Sequence, residues 1–205
     1  MSSVEAVPPN PNIEAQQRLQ KPIETTPHVL TVCLAGAPNA GKTALMNALT
    51  GGSFHTANYP GVTVTLTRGK SKAEFGPQAL LVDLPGVHST SAVSPEEELS
   101  CRVIEGRDPS VKPDVLVVAV DATQLERHLK LASYVARQDK PTVIALTMMD
   151  LLPRTQQTVN ARKLEAALGV PVVSVDGRTG WGAAELMTAA MCAKSTREMS
   201  SDGRW

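Results

Sequence analysis

The chain has 205 residues, with 20 Lys+Arg against 20 Asp+Glu and only two each of Phe, Trp and Tyr. A net charge of zero with so few rings argues against nucleic acid as a partner, because phosphate neutralisation needs a basic face and base stacking needs aromatic platforms. Cys33, Cys101 and Cys192 are far apart and odd in number, so a reducing cytoplasmic compartment fits better than a disulfide scaffold or a cysteine zinc site; no apolar run reaches the roughly 18 residues of a membrane span, and Glu5, Pro8 and Pro9 stand where a signal peptide would be apolar.

Residues 1–27 carry Pro8, Pro9, Pro11, Pro22 and Pro27 among polar side chains. They bury too little apolar surface to offset their ordering entropy, so a flexible leader is expected. A single folded domain is expected over 28–193 and a flexible polar tail over 194–205. Within the domain, strands and helices alternate. The apolar run over 28–35 reads as a strand, followed by a turn at Gly36 and a helix over 42–49. Residues 63–74 and 78–83 read as a hairpin around Phe75, Gly76 and Pro77. A helix over 95–105, a strand over 115–120, a helix over 123–137 and a strand over 142–146 follow. The last elements are a helix over 158–168, a strand over 170–175 and a helix over 183–192. Val115–Val120 reads VLVVAV, apolar on both faces, as in a parallel sheet covered by helices on both sides. The expected fold class is α/β: six strands, mostly parallel, with one antiparallel hairpin strand. Any doubly wound fold shares most of this pattern, so function has to be argued from the sites.

Gly36-Ala37-Pro38-Asn39-Ala40-Gly41-Lys42-Thr43 matches G-x-x-x-x-G-K-[ST] between a strand and a helix. Its backbone N–H groups, from Ala37 to Ala44, can wrap a phosphate at a helix N-terminus, where the dipole favours an anion. Lys42 would reach the outer phosphates and the Thr43 hydroxyl would ligate Mg²⁺. Asp83-Leu84-Pro85-Gly86 closes the hairpin, placing a carboxylate to hold Mg²⁺ through water and the Gly86 N–H to meet a γ-phosphate. The polar stretch 51–63 between the two motifs is long for a plain connection. One of its threonines, Thr63, with Thr56 and Thr65 as rivals, could complete the metal shell and release it after hydrolysis. Thr147-Met148-Met149-Asp150 follows another buried strand; the Asp150 carboxylate can accept two hydrogen bonds from guanine, a pair adenine does not offer. Val175-Asp176-Gly177 ends the last strand, where backbone N–H groups can meet the guanine O6. Together these motifs read as a site for GTP or GDP with Mg²⁺.

The residues 28–192 then resemble the GTPase domain of the ferrous-iron transport protein B (FeoB) family. The carriers are the phosphate loop with Asn39, Leu49-Thr50-Gly51, the segment Asn58-Tyr59-Pro60-Gly61-Val62-Thr63-Val64, Asp83 to Val87, and Ser94-Pro95-Glu96-Glu97. The resemblance implies a Ras-like P-loop GTPase fold and GTP with Mg²⁺. It also implies a switch that regulates Fe²⁺ uptake through a membrane iron-permease domain of the same or a partner chain, at the inner face of the membrane. It selects Thr63 as the switch threonine and leaves self-association open. In similar GTPases an Asn at the position of Asn39 helps hold a K⁺ beside the phosphates, which implies K⁺-stimulated hydrolysis here. Asn39, Lys42, Thr63 and Gly86 are then the expected catalytic set.

The chain departs from glutamine-bearing Ras-like proteins at one point and from that family at three. Val87 stands where a Ras-like protein carries a water-positioning glutamine, so weak intrinsic hydrolysis is expected. Thr147 replaces the Asn that opens the guanine motif, and Asp176-Gly177 replace Ser-Ala, so looser guanine binding is expected. The family continues into a helical domain and membrane helices, whereas this sequence ends at Trp205. A guanine-nucleotide sensor that scarcely hydrolyses, and a ribosome- or RNA-associated GTPase, are the competing functions. His88 beside Val87 is a rival base within reach, and the His and Cys residues show no metal-ligand spacing.

Overall fold

The computed structural model describes residues 29–59, 64–88, 92–154 and 158–201. The expected leader, Pro60, Gly61, Val62, the switch residue Thr63, and the last residues of the expected tail lie outside the described residues. The strands are β1 (Leu30–Gly36), β2 (Phe54–Asn58), β3 (Thr65–Lys70), β4 (Ala79–Asp83), β5 (Val115–Asp121), β6 (Thr142–Thr147) and β7 (Val172–Ser174). The helices are α1 (Lys42–Thr50), α2 (Pro95–Ile104), α3 (Leu125–Ala136), α4 (Ala161–Leu168) and α5 (Ala183–Ser201).

One seven-stranded sheet has the order β2-β3-β4-β1-β5-β6-β7. β3 pairs antiparallel with both β2 and β4, so it alone runs against the rest; every other pairing is parallel. The side chains alternate between two cores as the strand period requires. Val32, Leu34, Val115, Val117, Val143 and Ala145 face one core with Leu45, Met46 and Leu49 of α1 and Leu186 and Met187 of α5. Cys33, Ala35, Leu116, Val118, Ile144 and Leu146 face the other with Leu99 and Val103 of α2 and Leu131 and Val135 of α3. A fully buried leucine such as Leu34 or Leu116 contributes about 2 kcal/mol through removal of its surface from water.

Two expectations need correcting. The sheet has a seventh strand, β2, inside the stretch read as loop. All five of its residues are exposed and it pairs only with β3, so no buried face imposes an alternating pattern that sequence could reveal. The boundary between domain and tail also falls inside a helix, since α5 runs to Ser201. Its later turns are pinned by an ion pair of Lys194 with Asp114 at 2.8 Å and one of Arg197 with Asp139. Asp114 in turn accepts the Thr31 N–H at 2.7 Å, so α5 is tied to the start of β1. Smaller shifts have local causes. The helix expected over 158–168 starts at Ala161 because Asn160 caps it, accepting the Lys163 N–H at 3.1 Å. The strand expected over 63–74 ends at Lys70, and Ala73–Phe75 forms a 3₁₀ turn.

Helix α1, which follows β1, lies on one face, while α2 and α3, which follow β4 and β5, lie on the other. Connections that leave in opposite directions open a crevice beyond the C-terminal end of β1, which is where α/β sheets place their ligands.

Candidate functional site

The phosphate loop occupies that crevice. Lys42 is 9% exposed, and its Nζ donates to the carbonyls of Gly36 at 3.2 Å and Ala37 at 3.0 Å. The ammonium is thereby folded back along the loop it would serve. Burial pushes its pKa below the ordinary lysine value, while the charge of Asp83 acts the other way. Asp83 lies at the end of β4, in register with Leu34. Burial pushes its carboxyl up to about 6 against the pull of Lys42, and its buried Oδ1 has no hydrogen-bond partner. A desolvated carboxylate oxygen left unpaired beside a phosphate loop is the kind of group a hydrated divalent cation satisfies. The hydroxyl of Thr43, exposed on the first turn of α1, is a second hard donor. The residues present fit Mg²⁺.

The segment after Asp83 is clasped to the loop. Leu84 donates its N–H to Leu34 O at 3.0 Å and Val87 to Gly36 O at 3.1 Å. Gly86 approaches so closely that an added Cβ would lie 2.8 Å from Pro38 Cγ. Val87 is 1% exposed and belongs to the core, so its side chain takes no part in orienting water. His88 is exposed; its N–H donates to Glu97 Oε1 at 3.0 Å, while Val93 donates to Oε2 at 2.9 Å. These backbone donors hold the Glu97 carboxyl below its ordinary value. Ser94 caps α2 by accepting the Glu97 N–H, while the Glu97 carboxylate reaches back to the preceding loop through His88 and Val93. His128 is structural as well: its Nδ1 accepts the Asp121 N–H at 3.0 Å.

Asn39 is exposed at the tip of the loop with φ 63°, a left-handed conformation that Asn tolerates. The stretch expected to switch is anchored at both sides of the undescribed residues. Tyr59 donates its N–H to Val64 O at 2.7 Å, and its hydroxyl lies 2.7 Å from each carboxylate oxygen of buried Asp108. Thr56 and Thr65, the rival switch threonines, sit on β2 and β3.

The segments expected to read the base meet the phosphate loop from β6 and β7. Thr147 is buried, with Oγ1 at 2.9 Å from Ala40 O and 3.1 Å from Val120 O. A hydroxyl has one proton for these two carbonyls, whereas the amide of an Asn has two. The replacement therefore leaves one proton shared between the phosphate loop at Ala40 and β5 at Val120. Met148 follows with φ 58°, turning the chain so that Asp150 emerges exposed. At Gly177 an added Cβ would lie 2.8 Å from the carbonyl carbon of Ala44 and 2.9 Å from Leu45 N. The absence of a side chain is what lets this segment close against α1. Asp176 is occupied within its own turn: it accepts from Arg178 N at 2.8 Å and Thr179 Oγ1 at 2.7 Å. Thr179 and the Arg178 amide hold its carboxyl below the ordinary range.

Met149, Asp150, Val175, Asp176, Thr179 and Trp181 line a cavity of 370 Å³. Asp150, Val175 and Asp176 are among the residues expected from sequence to meet the base, and the cavity brings them together with Met149, Thr179 and Trp181, which are not. The sequence signal for Trp181 is its setting between Gly180 and Gly182 after the last strand. Among the described residues there is no cluster of three or more His, Cys, Asp or Glu side chains suited to a metal, and no helix is long and apolar enough to cross a membrane.

The profile of the ferrous iron transport protein B family matches residues 30–190. A fusion protein of Fe(2+) transport protein A and Fe(2+) transporter FeoB from Porphyromonas gingivalis is 38% identical over 189 residues, 90% of this chain and 22% of the relative. The chain thus spans about a fifth of the curated relatives it matches. Among solved structures, a point mutant of S. thermophilus NFeoB bound to GDP is 34% identical, with a TM-score of 0.73, over 82% of this chain and 64% of that one. The cytosolic domain of T. maritima FeoB in its GMPPNP form is 32% identical, with a TM-score of 0.69, over 80% and 63%.

Proposed function

The chain belongs to the ferrous iron transport protein B family, and from that premise we propose that it is a guanine-nucleotide switch that binds GTP and GDP with Mg²⁺ and hydrolyses GTP slowly. Nucleotide state in this reading controls Fe²⁺ passage through a membrane permease domain, of the same or a partner chain, from the cytoplasmic side. The observation that carries it is that Lys42 and Asp83 lie near enough for their charges to act on each other, yet Lys42 donates only to loop carbonyls and the buried Asp83 Oδ1 has no partner. Two desolvated charges left in that state are held at a cost that bound Mg²⁺ and polyphosphate would offset. Solved relatives bound to GDP and in the GMPPNP form support the same ligand class.

Each residue then has a definable task. The backbone from Ala37 to Ala44, Pro38 excepted as a donor, cradles the phosphates at the N-terminus of α1. Lys42 exchanges its two carbonyl acceptors for phosphate oxygens. Thr43 and Asp83 would hold Mg²⁺, Asp83 by way of a water, and the ion would supply charge neutralisation of the outer phosphates. Thr63 is the proposed switch ligand and Gly86 the N–H donor to the γ-phosphate. Asp150 reads the guanine edge, and the backbone of Val175, Asp176 and Gly177 faces O6. Thr147 and Met148 shape the approach. The carbonyl of Asn39 is a suitable donor to K⁺, which would provide positive charge in place of a side-chain finger. With Val87 buried, nothing at its position orients water, which favours slow turnover; a sensor with still less hydrolysis is the second reading on the same observation.

Equilibrium binding of GTP against ATP with Mg²⁺, using Lys42→Ala as control, tests the assignment. Tight GTP binding, weak ATP binding and loss of both in Lys42→Ala is the expected pattern. Equal affinity for the two nucleotides would remove Asp150 from its role.

A further inference from the structure

Among the described residues, Trp181 is a large apolar side chain left 63% exposed, and it stands on the rim of the 370 Å³ cavity that also holds Asp150. An exposed indole presents a broad apolar face that a flat ligand can cover, and here that face borders a cavity. Its backbone is not loose. Asp176 donates its N–H to Trp181 O at 3.0 Å, Gly180 donates to Asp176 O at 2.8 Å, and Ala183 to Gly180 O at 3.1 Å. The Trp181 N–H donates to Thr179 Oγ1 at 3.3 Å, and that hydroxyl donates to Asp176. Flanking Gly180 and Gly182 have φ of +80° and +79°, and a Cβ on Gly182 would lie 2.2 Å from Ser174 O. The turn is therefore built so that Trp181 is carried at a set position beside the strand end.

We propose that Trp181 is the aromatic wall of the base cavity, stacking on the face of the purine whose edge Asp150 reads. The proposal rests on the guanine-nucleotide reading above and adds to it a residue that the motifs do not contain. An indole offers a broad flat surface at little entropic cost, and Met149 on the same cavity contributes a polarisable thioether that packs well against rings. The division of labour follows from chemistry. Hydrogen bonds to Asp150 depend on the N1–H and exocyclic amine of the base. Stacking depends only on its π-face, so it is blind to those substituents. Trp181 thus adds affinity for any purine in this cavity and no discrimination between purines. It also offsets what is lost where Thr147 supplies one proton to two carbonyls.

The test uses the full chain carrying Trp205→Phe, so that Trp181 is its single tryptophan of the original two. Titration with GDP and IDP is followed by tryptophan emission and, separately, by calorimetry. IDP lacks the exocyclic amine. GDP is expected to quench the emission, and Trp181→Ala to weaken GDP and IDP alike by about tenfold with their ratio unchanged. Trp181→Phe should recover most of that loss, which a folding defect would not. Asp150→Ala should instead collapse the ratio. Unchanged emission on binding, or unchanged affinity in Trp181→Ala, would overturn the proposal and point to a docking role for the exposed ring. Failure of the parent chain to bind GDP at all would overturn the guanine reading itself, and that outcome is visible before any Trp181 variant is made.

Discussion

Replacing Asp83 by Asn isolates the electrostatic tension in the site. Burial raises the Asp83 carboxyl from 3.8 to about 6, so in the metal-free protein the folded state binds its proton more tightly than the unfolded chain. The sign follows from linkage: where the folded state holds more protons, stability falls as pH rises. The cost is close to nil below the unfolded value, grows between about pH 4 and pH 6, and is complete above the folded value. A shift of about two units corresponds to about 3 kcal/mol at pH 7. Asn removes the charge and keeps the shape, so Asp83→Asn in EDTA should be more stable than the parent by about 3 kcal/mol at pH 7 and by under about 1 kcal/mol at pH 4. Urea denaturation of both proteins across that range measures the difference directly and cancels the titration of every other carboxylate. With Mg²⁺ and GDP the order should reverse, because only the carboxylate can hold the ion. A difference that does not change with pH, or an Asn variant less stable at pH 7 without metal, would refute the account of a desolvated carboxylate held for a cation.

Three other outcomes follow from named contacts. Thr147→Val leaves the carbonyls of Ala40 and Val120 without their shared donor and should cost about 1–3 kcal/mol in stability, while Thr147→Asn restores a second proton and should tighten GDP severalfold in equilibrium dialysis. GTP turnover should be faster in K⁺ than in Na⁺, and Asn39→Gly, which suits the φ of 63° but lacks the carbonyl side chain, should abolish that difference without unfolding the loop; equal rates of the parent in both salts would dismiss the cation. Tyr59→Phe removes a donor to Asp108, whose carboxyl is pushed up by burial but brought below its ordinary value by Tyr59, Val111, Ser110 and Arg102. The loss, about 1–2 kcal/mol at pH 7 by thermal denaturation, should shrink as pH falls through that depressed value and the carboxylate is protonated.

Elements with a buried face were legible because burial writes a period into the chain. Val115–Val120, short, valine-rich and apolar on both sides, reads as a central strand by length and β-branched content, and Leu45, Met46 and Leu49 mark the inner side of a helix. β2 left no such trace, since its five residues are all exposed and only backbone pairing with β3 makes it a strand. The extension of α5 past Cys192 was hidden for a related reason: Lys194 and Arg197 look like a solvated tail until Asp114 and Asp139, distant in sequence, are brought beside them.

The sequence by itself marked out the G-x-x-x-x-G-K-[ST] loop, the Asp83 segment and the Asp150 segment as the expected site, because glycine spacing, a lysine and carboxylates at strand ends stand in local order. Tertiary structure alone decided what each departure costs. It showed that Thr147 still bridges to Ala40, that Gly177 is required by the nearness of Ala44, and that the Asp176 carboxylate is spent within its own turn. It also placed Trp181 on the same cavity as Asp150, 31 positions away in the chain. The physical reason is that hydrogen bonding, close approach and desolvation depend on which atoms meet across the sheet, and no local pattern encodes those meetings.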